Sequence, residues 1–379
     1  MLQKRLGLPF WLSVAATAFL AIVPPPRRPT PEGRLRAEPA GKSERPFGEP
    51  RSSEEPHNLE LRRAQERERG RHATHPLQIP WKGWYDILWR TYREMQTDRL
   101  LSIAGGVSFF ALLAIFPAIT ALVSAYGLFF NPGTIVDDIG QLNDVVPITV
   151  LTIVHEQAMR IASNSGQTLS LGLVLGILIS LWSAMGGVKA VIDALNVIYE
   201  QRESRSLIKL NVVALIFTVF GFATFLFAMA AIVVLPLVLS PIGLGSIAET
   251  VTRIARWPVL LIFLLLGLAI LYRYGPDRRA ARWQWVSVGS VFAALTWFAA
   301  SFLFSWYLTN FANYNATYGS LGAVAGMMVW LWISSVVVLL GAELNAEIEH
   351  QTARDSTVGA AKRLGERGAV MADTIGAAR

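Results

Sequence analysis

The sequence predicts an all-α polytopic membrane protein with six transmembrane helices. The chain of 379 residues is 53% hydrophobic and only 16% charged, with a mean hydropathy of +0.41. This composition is too apolar for an ordinary soluble domain. Six apolar runs are long enough for a helix to cross the roughly 30 Å hydrocarbon core of a bilayer. Basic residues gather in alternate loops between these runs, which gives the bundle an orientation.

Two unusual segments precede the predicted membrane domain. Residues 1–23 include an apolar run that alone resembles a signal peptide or a short membrane helix. Residues 24–80 are rich in Pro, Arg and Glu, so we expect them to be disordered. A cleaved signal or an N-in anchor would place residues 24–80 outside and invert the loop orientation. We therefore favour an extra helix with its amino end outside, or an extension that lies outside the functional unit.

An amphipathic helix is predicted to begin the ordered protein at Trp81. Apolar residues recur there at helical spacing with charged residues between them, which is typical of a helix lying in the membrane interface. The apolar set is Trp81, Trp84, Tyr85, Leu88, Tyr92 and Met95.

The six predicted spans follow within a transmembrane domain over residues 81–350. Their ranges are about 103–130, 169–188, 210–239, 257–274, 285–308 and 321–341. The long connection over residues 131–168 has helical apolar spacing and Pro147, which can open a helix, so we expect two short amphipathic helices there on the outer face. Residues 351–379 form the predicted cytoplasmic tail.

Loop charges predict which side of the membrane each end occupies. Lys and Arg are concentrated before span one, between spans two and three, between four and five, and after six. Because basic residues favour cytoplasmic loops, both ends of the six-helix unit should be cytoplasmic. The net charge of +7 then indicates contact with anionic membrane lipid rather than nucleic acid.

A polar pattern recurs at the ends of spans two and six. Asp193 shortly precedes Leu195-Asn196, and Glu343 directly precedes Leu344-Asn345. Moving a carboxylate into a bilayer costs roughly 2.5 to 3.5 kcal/mol on insertion scales, so such groups usually face a partner or water. One interpretation is a polar cluster at the cytoplasmic mouth of a cavity, and the other is ordinary interfacial anchoring. The candidate cluster is Lys189, Asp193, Asn196, Glu343 and Asn345, in which Lys189 would be able to pair with Asp193 one helical turn away.

Small residues and prolines mark expected packing features within the spans. Glycines four residues apart let helix backbones approach closely, so we expect packing within one chain, with the seam of a homo-oligomer as the alternative. The pairs are Gly172 with Gly176 and Gly322 with Gly326, and Ser183 precedes Gly187 at the same spacing. Pro117 and Pro236 remove backbone donors and should kink spans one and three.

Enzyme chemistry has little support in the sequence. The chain has no cysteine, which excludes disulfides, Cys-ligated zinc and thiol nucleophiles. Its five histidines are scattered, and no Gly-rich phosphate loop or nucleophile elbow is present. We therefore predict no enzymatic activity, no metal and no cofactor.

Several motifs in order resemble a known family. They are Ser108-Phe109-Phe110 with Phe116-Pro117, Ala194-Leu195-Asn196-Val197-Ile198-Tyr199 with Arg205, Tyr314 with Tyr318-Gly319-Ser320-Leu321, and Leu340-Gly341-Ala342-Glu343-Leu344-Asn345. From about Trp81 to His350 the chain resembles the YihY/BrkB family of bacterial inner-membrane proteins, older members of which carry the label ribonuclease BN. The resemblance implies six transmembrane helices with both ends cytoplasmic. It brings no established catalytic residue or substrate.

Three functional hypotheses follow. The first is a transporter or translocator of a lipid-like molecule or small solute, with its cytoplasmic mouth near the polar cluster. The second is a non-transporting envelope-integrity or scaffold protein whose polar ends and basic loops bind partners or lipid. The third, a nuclease, is disfavoured because no group of acids or histidines is placed to hold a metal and water. The family's loose link to export and the envelope enters these hypotheses only as an analogy.

Overall fold

The computed structural model describes residues 63–66, 68–129, 169–239, 245–310 and 320–379, with side chains in 63–66, 68–115, 178–179, 181–224, 258–308 and 324–379. This part of the chain is helical and contains no strand, apart from an isolated antiparallel bridge between Ala281 and Thr357. The helices are α1 Trp81–Thr97, α2 Leu100–Phe129, α3 Leu169–Ile198, α4 Leu207–Leu239, α5 Gly245–Tyr274, α6 Trp283–Asn310, α7 Ser320–His350 and the short α8 Val370–Asp373.

Helices α2 to α7 match the six predicted spans in position. Each has between 28 and 33 residues. Within the described residues, four stretches are long and apolar enough to cross a membrane, or five if the bent pair α1 and α2 forms one span. The four are Leu181–Ile198, Leu207–Thr224, Trp283–Leu308 and Val324–His350. The protein is therefore an all-α membrane protein, and the count of six spans stays a prediction.

Three helices extend well beyond the apolar runs that predicted them. Helices α3 and α7 continue to Ile198 and His350, and α5 already begins at Gly245. The predicted ends followed the apolar runs and stopped near charged or polar residues. A helix satisfies its own backbone hydrogen bonds whether or not lipid surrounds it, so it continues into its polar end.

Helix α1 is amphipathic, and its aromatic side faces outward. Trp81, Tyr85, Leu88 and Tyr92 are exposed at helical spacing. Its buried face includes the polar residues Asp86, Arg90 and Thr91 together with Gly83 and Ile87. The helix axis meets the first part of α2 at 63°. An outward aromatic stripe with charges inside is the arrangement expected where the outer surroundings are apolar.

Helix α7 lies at the centre of the described packing. It contacts α1, α2, α3, α6 and α8, while α2 packs on α3, and α5 packs on α4 and α6. Helices α6 and α7 cross where a Cβ added to Gly289 would collide with the Gly341 carbonyl oxygen. A Cβ on Gly341 would in turn lie 2.8 Å from the Gly289 oxygen and 2.6 Å from Ala293 Cβ. This close crossing, which the glycine pattern in the sequence did not reveal, requires glycine at both positions.

The glycine pairs predicted from spacing have mixed outcomes. A Cβ on Gly187 would lie 3.5 Å from Ala114 Cβ and 3.6 Å from the Phe110 oxygen, so α3 and α2 approach closely there. At Gly326 the space around an added Cβ is open within 4 Å. The surroundings of Gly172, Gly176 and Gly322 lie outside the described side chains, so their packing role stays a prediction.

The segment before α1 and the tail after α7 pack over the polar ends of the helices. Arg71, Ala73 and Ile79 are buried in residues that composition had predicted to be disordered. Arg71 donates hydrogen bonds to the Gln351 and Gly376 carbonyl oxygens at 3.2 and 2.7 Å. The packed domain therefore begins before the predicted boundary at Trp81, because the tail supplies the surface that this polar segment lacks on its own.

Several predictions fall outside the described residues. They concern residues 1–62 and the outer helices over 131–168. Helices α2 and α4 continue through Pro117 and Pro236, whose side chains are not described, and the two kinks stay predictions.

Candidate functional site at the polar end of helix α7

A buried ion pair joins the polar end of α7 to α1. Arg90 Nε donates to Glu347 Oε2 at 2.5 Å, and both side chains are almost fully buried. The remaining guanidinium nitrogens donate to the Glu347 and Ala377 carbonyl oxygens and to Gln351 Oε1. All three nitrogens of Arg90 are therefore occupied. Such a fully hydrogen-bonded pair fixes the geometry of two elements.

A second buried pair joins α7 to the connection between α5 and α6. Arg278 Nη1 donates to Glu349 Oε2 at 2.7 Å, and Ser356 donates to Glu349 Oε1 at 2.6 Å. The Arg278 guanidinium carbon lies 4.0 Å from the ring centre of Tyr199, just past α3. Burial acts to lower the pKa of Arg278, and the nearby Glu349 carboxylate outweighs this effect and raises it. Burial raises the pKa of the Tyr199 phenol.

Asn345 holds α7 against α6. Its side-chain oxygen accepts a hydrogen bond from the Gly289 N–H at 2.7 Å, and its Nδ2 donates to the Val286 oxygen at 3.0 Å. Asn345 is buried, so these bonds satisfy an amide that would otherwise be costly to bury. This predicted mouth residue is a helix-packing residue at the Gly289–Gly341 crossing.

Asn196 connects two loops at the end of α3. Its oxygen accepts from the Asp277 N–H at 2.8 Å, and its Nδ2 donates to Glu203 Oε2 at 2.9 Å. Glu203 also accepts two hydrogen bonds from the Arg205 guanidinium, which lower the pKa of Glu203. Arg205 donates in turn to the Gly275 oxygen at 3.1 Å. Asn196 thus ties the α3–α4 connection to the α5–α6 connection.

Asp193 and Lys189 do not form the ion pair that their spacing allows. The described residues contain no salt bridge between them, and the Lys189 ammonium lies 5.5 Å from the Trp182 ring centre. Side chains in a helix tilt towards its amino end, so Lys189 points back towards Trp182 and away from Asp193. Asp193 itself is exposed. The pairing that helical spacing allows is therefore not formed in this structure.

Glu343 has a different environment from every other acid at this end of the bundle. It is fully buried, and neither of its carboxylate oxygens has a hydrogen-bond partner in the described structure. A buried polar group without a partner is rare, and an ionisable one on a membrane helix usually marks a functional site.

The structure does not gather the five predicted residues around one cavity. Asn345 faces α6, Asn196 faces the loops, and Asp193 is exposed. Residues two apart on a helix point in widely different directions, so Glu343 and Asn345 cannot share a face. The sequence reasoning missed the roles of Arg90, Arg278 and Gln351. The only signal for them was that each is a polar residue beside an apolar run, which does not identify a partner.

Comparison with known protein families shows which family this chain belongs to. A family described as virulence factor BrkB matches residues 91–364, from within α1 to the tail. The chain belongs to the BrkB family. This confirms the resemblance drawn from the motifs, and the matched range includes Glu343, Glu347 and Glu349.

Named relatives of this BrkB-family protein are membrane proteins or carry a nuclease-like name. A UPF0761 membrane protein of Tolumonas auensis is 27% identical over 265 residues, which cover 68% of this chain and 83% of the relative. A protein of Bacillus subtilis named ribonuclease-like, YfkH, is 30% identical over 244 residues, 63% of this chain and 86% of the relative. No solved structure matches the chain. The protein is an integral membrane protein of the BrkB and UPF0761 group.

Proposed function

We propose that this protein is a translocator of the bacterial inner membrane for a lipid-like molecule or small solute, with Glu343 as its functional polar group. The observation that carries the proposal is the fully buried Glu343 carboxyl, whose oxygens have no partner among the described residues. A membrane helix keeps such a group only against a substantial insertion cost, which stability alone does not justify. Movement of a polar cargo or ion past the helix would supply the missing partner.

The proposal includes six spans with both ends in the cytoplasm. The basic segments meet at one end of the helix bundle. The segment before α1 bonds the tail through Arg71, and the α5–α6 connection bonds the tail where Arg282 N–H donates to the Ser356 oxygen at 2.8 Å. Asn196, just before the α3–α4 connection, accepts a hydrogen bond from the Asp277 N–H and so joins that connection to the same group of segments. Four basic segments on one side support a cytoplasmic assignment for that side.

Helix α1 fits this topology as a membrane-surface helix. Its exposed stripe of Trp81, Tyr85, Leu88 and Tyr92 suits the lipid interface, where aromatic rings accumulate. The exposed Arg93, which lies 5.5 Å from the Trp89 ring centre, would meet lipid phosphates at the same level.

The absence of cysteine from the sequence makes the topology directly testable. Single cysteines would be introduced by Ser204→Cys in the α3–α4 connection, Lys362→Cys in the tail and Ser165→Cys in the loop predicted to be outside. A membrane-impermeant maleimide applied to intact spheroplasts should label only the last variant. Labelling of Ser204→Cys before the cells are opened would contradict the proposed orientation.

The translocation test uses purified protein in liposomes that contain fluorescent NBD-labelled phosphatidylglycerol or phosphatidylethanolamine. External dithionite bleaches only the probe in the outer leaflet, which holds about half of the fluorescence. Translocation therefore appears as loss of more than that half. We expect wild-type protein to translocate at least one probe about ten-fold faster than the Glu343→Gln variant. Asp193→Asn, the same chemical change at an exposed acid, should retain the wild-type rate. Equal rates in wild-type and protein-free liposomes would overturn lipid translocation.

A non-transporting scaffold is the second candidate, and one observation favours it. Asn196, Asn345, Glu347 and Glu349 all tie neighbouring elements together, as expected for a rigid base. In that case Glu343→Gln should leave the phenotype of cells unchanged. The proposal assigns no enzymatic activity. RNA cleavage by purified protein that is lost on Glu343→Gln would contradict this and support the name of the Bacillus relative.

A further inference from the structure

The surroundings of Glu343 are acidic. The charged groups that act on its carboxyl group are Glu347 on the same helix, Glu94 and Asp98 at the end of α1, and Glu200 after α3. Glu200 is exposed, and Glu94 and Asp98 are partly buried. Acids that range from exposed to fully buried are therefore near enough to act on the Glu343 carboxyl group. Such an arrangement attracts cations and disfavours a negative charge on Glu343.

Helix geometry explains why Glu343 faces acids. Arg90 of α1 bonds Glu347 of α7, so these two positions define the facing stripes of the helices. One turn towards α2 along α1, and one turn towards the apolar part of α7, the next residues on these stripes are Glu94 and Glu343. An arginine therefore faces a glutamate in one layer, and an acid faces a glutamate in the next.

The two arginines that bond other acids of α7 have partners other than Glu343. Arg90 uses all three guanidinium nitrogens on Glu347, Gln351 and the Ala377 oxygen. Arg278 bonds Glu349 and lies over the Tyr199 ring. Neither is in a salt bridge with Glu343 in the described residues. A buried carboxylate left in this state carries a large desolvation penalty, which one bound proton removes.

We propose that Glu343 is a proton-binding site that loads and releases a proton through the acidic path formed by Glu94, Asp98 and Glu200. In this step the Glu343 carboxylate takes a proton from hydronium, giving a carboxylic acid and water, and the reverse step returns the proton. This inference rests on the proposed function, in which the bound proton would be the ion that drives translocation. Loading neutralises Glu343, and release makes it a buried anion that repels the facing acids, so the two states favour different separations of α1 and α7.

The experiment is an infrared pH titration of the purified full chain in lipid nanodiscs, which detects the carboxylic acid C=O stretching band. Wild-type protein should show a titrating band that is absent from the difference spectrum of Glu343→Gln. Asp193→Asn should retain that band in full. Glu343→Asp, which keeps the acid, should show a shifted band, so that loss in Glu343→Gln cannot be attributed to misfolding.

Three outcomes decide the proposal. Loss of one band only in Glu343→Gln supports proton binding even if the labelled lipids are not translocated. Identical titrations of wild type and Glu343→Gln would overturn it while leaving translocation open. A band whose titration shifts when sodium replaces choline in the buffer would also overturn it, because Glu343 would then be a metal-cation site.

Discussion

The polar ends of α3 and α7 use similar residues in different ways. Both place an acid before Leu-Asn, and in both the asparagine is buried and ties elements together, Asn196 between loops and Asn345 against α6. The acids differ, since Asp193 is exposed and Glu343 is fully buried. Helix α7 is surrounded by α1, α2, α3, α6 and α8, which leaves no exposed side for Glu343. The asparagines of the two motifs therefore share a packing role, whereas the buried acid is specific to α7.

The same comparison can be made within α7. Glu347 and Glu343 lie one turn apart and are equally buried, yet only Glu347 has an arginine partner. A paired buried acid stabilises a fixed geometry, whereas an unpaired buried acid is stabilised when it binds a proton, an ion or a transported molecule. Variants at these positions should therefore separate structural acids from a functional one.

The largest effect is expected for Arg90→Met. This change leaves the Glu347 carboxylate buried without its cation, which should lower the free energy of unfolding by about 3 to 5 kcal/mol. Thermal unfolding in detergent measures the loss. Arg93→Met, three residues along and exposed, is the matched control and should cost less than about 1 kcal/mol. Equal losses in the two variants would show that the Arg90–Glu347 pair does not hold α1 to α7.

A smaller difference is expected between the two asparagines. Asn345→Ala removes the buried amide that bonds the Gly289 N–H and the Val286 oxygen at the helix crossing. Loss of these two hydrogen bonds should lower the free energy of unfolding by about 1 to 3 kcal/mol. Asn196→Ala should cost at most about 1 kcal/mol, because Glu203 keeps its hydrogen bonds from Arg205. Chemical unfolding of both variants gives the comparison. A larger loss of unfolding free energy in Asn196→Ala would show that the asparagine of α3 contributes more to stability than the asparagine of α7.

The smallest stability effects are expected for the two acids of the repeated pattern. Asp193→Asn changes an exposed group and should alter the free energy of unfolding by less than about 0.5 kcal/mol. Glu343→Gln keeps the size of the side chain and breaks no hydrogen bond, so it should stay within about 1 kcal/mol of wild type. Loss of several kcal/mol in Glu343→Gln would mean that Glu343 has a structural partner.

The helices were predictable from the sequence because apolar length determines where a chain can cross a bilayer. Helices α2 to α7 accordingly match the six predicted runs in position. The packing of the polar ends was not predictable, because it depends on contacts between residues far apart in the chain, such as Arg90 with Glu347. The order of segment 68–80 was missed for the same reason, since Arg71 bonds carbonyl oxygens of the tail. Glu343 was identified as a candidate, but its lack of a partner emerges only when α1 and α7 are in contact.

The most direct test of the central claim is proton movement in liposomes that enclose a pH-sensitive dye, with an imposed proton gradient and potassium with valinomycin to clamp the voltage. Wild-type and Asp193→Asn proteins should acidify the interior at similar rates when the transported molecule is present. The NBD-labelled lipid that proves active in translocation serves as that molecule. Glu343→Gln should reduce the rate at least ten-fold, to that of protein-free liposomes, while Glu343→Asp retains a measurable rate. A Glu343→Gln rate equal to that of wild type would contradict the assignment of Glu343 as the functional acid.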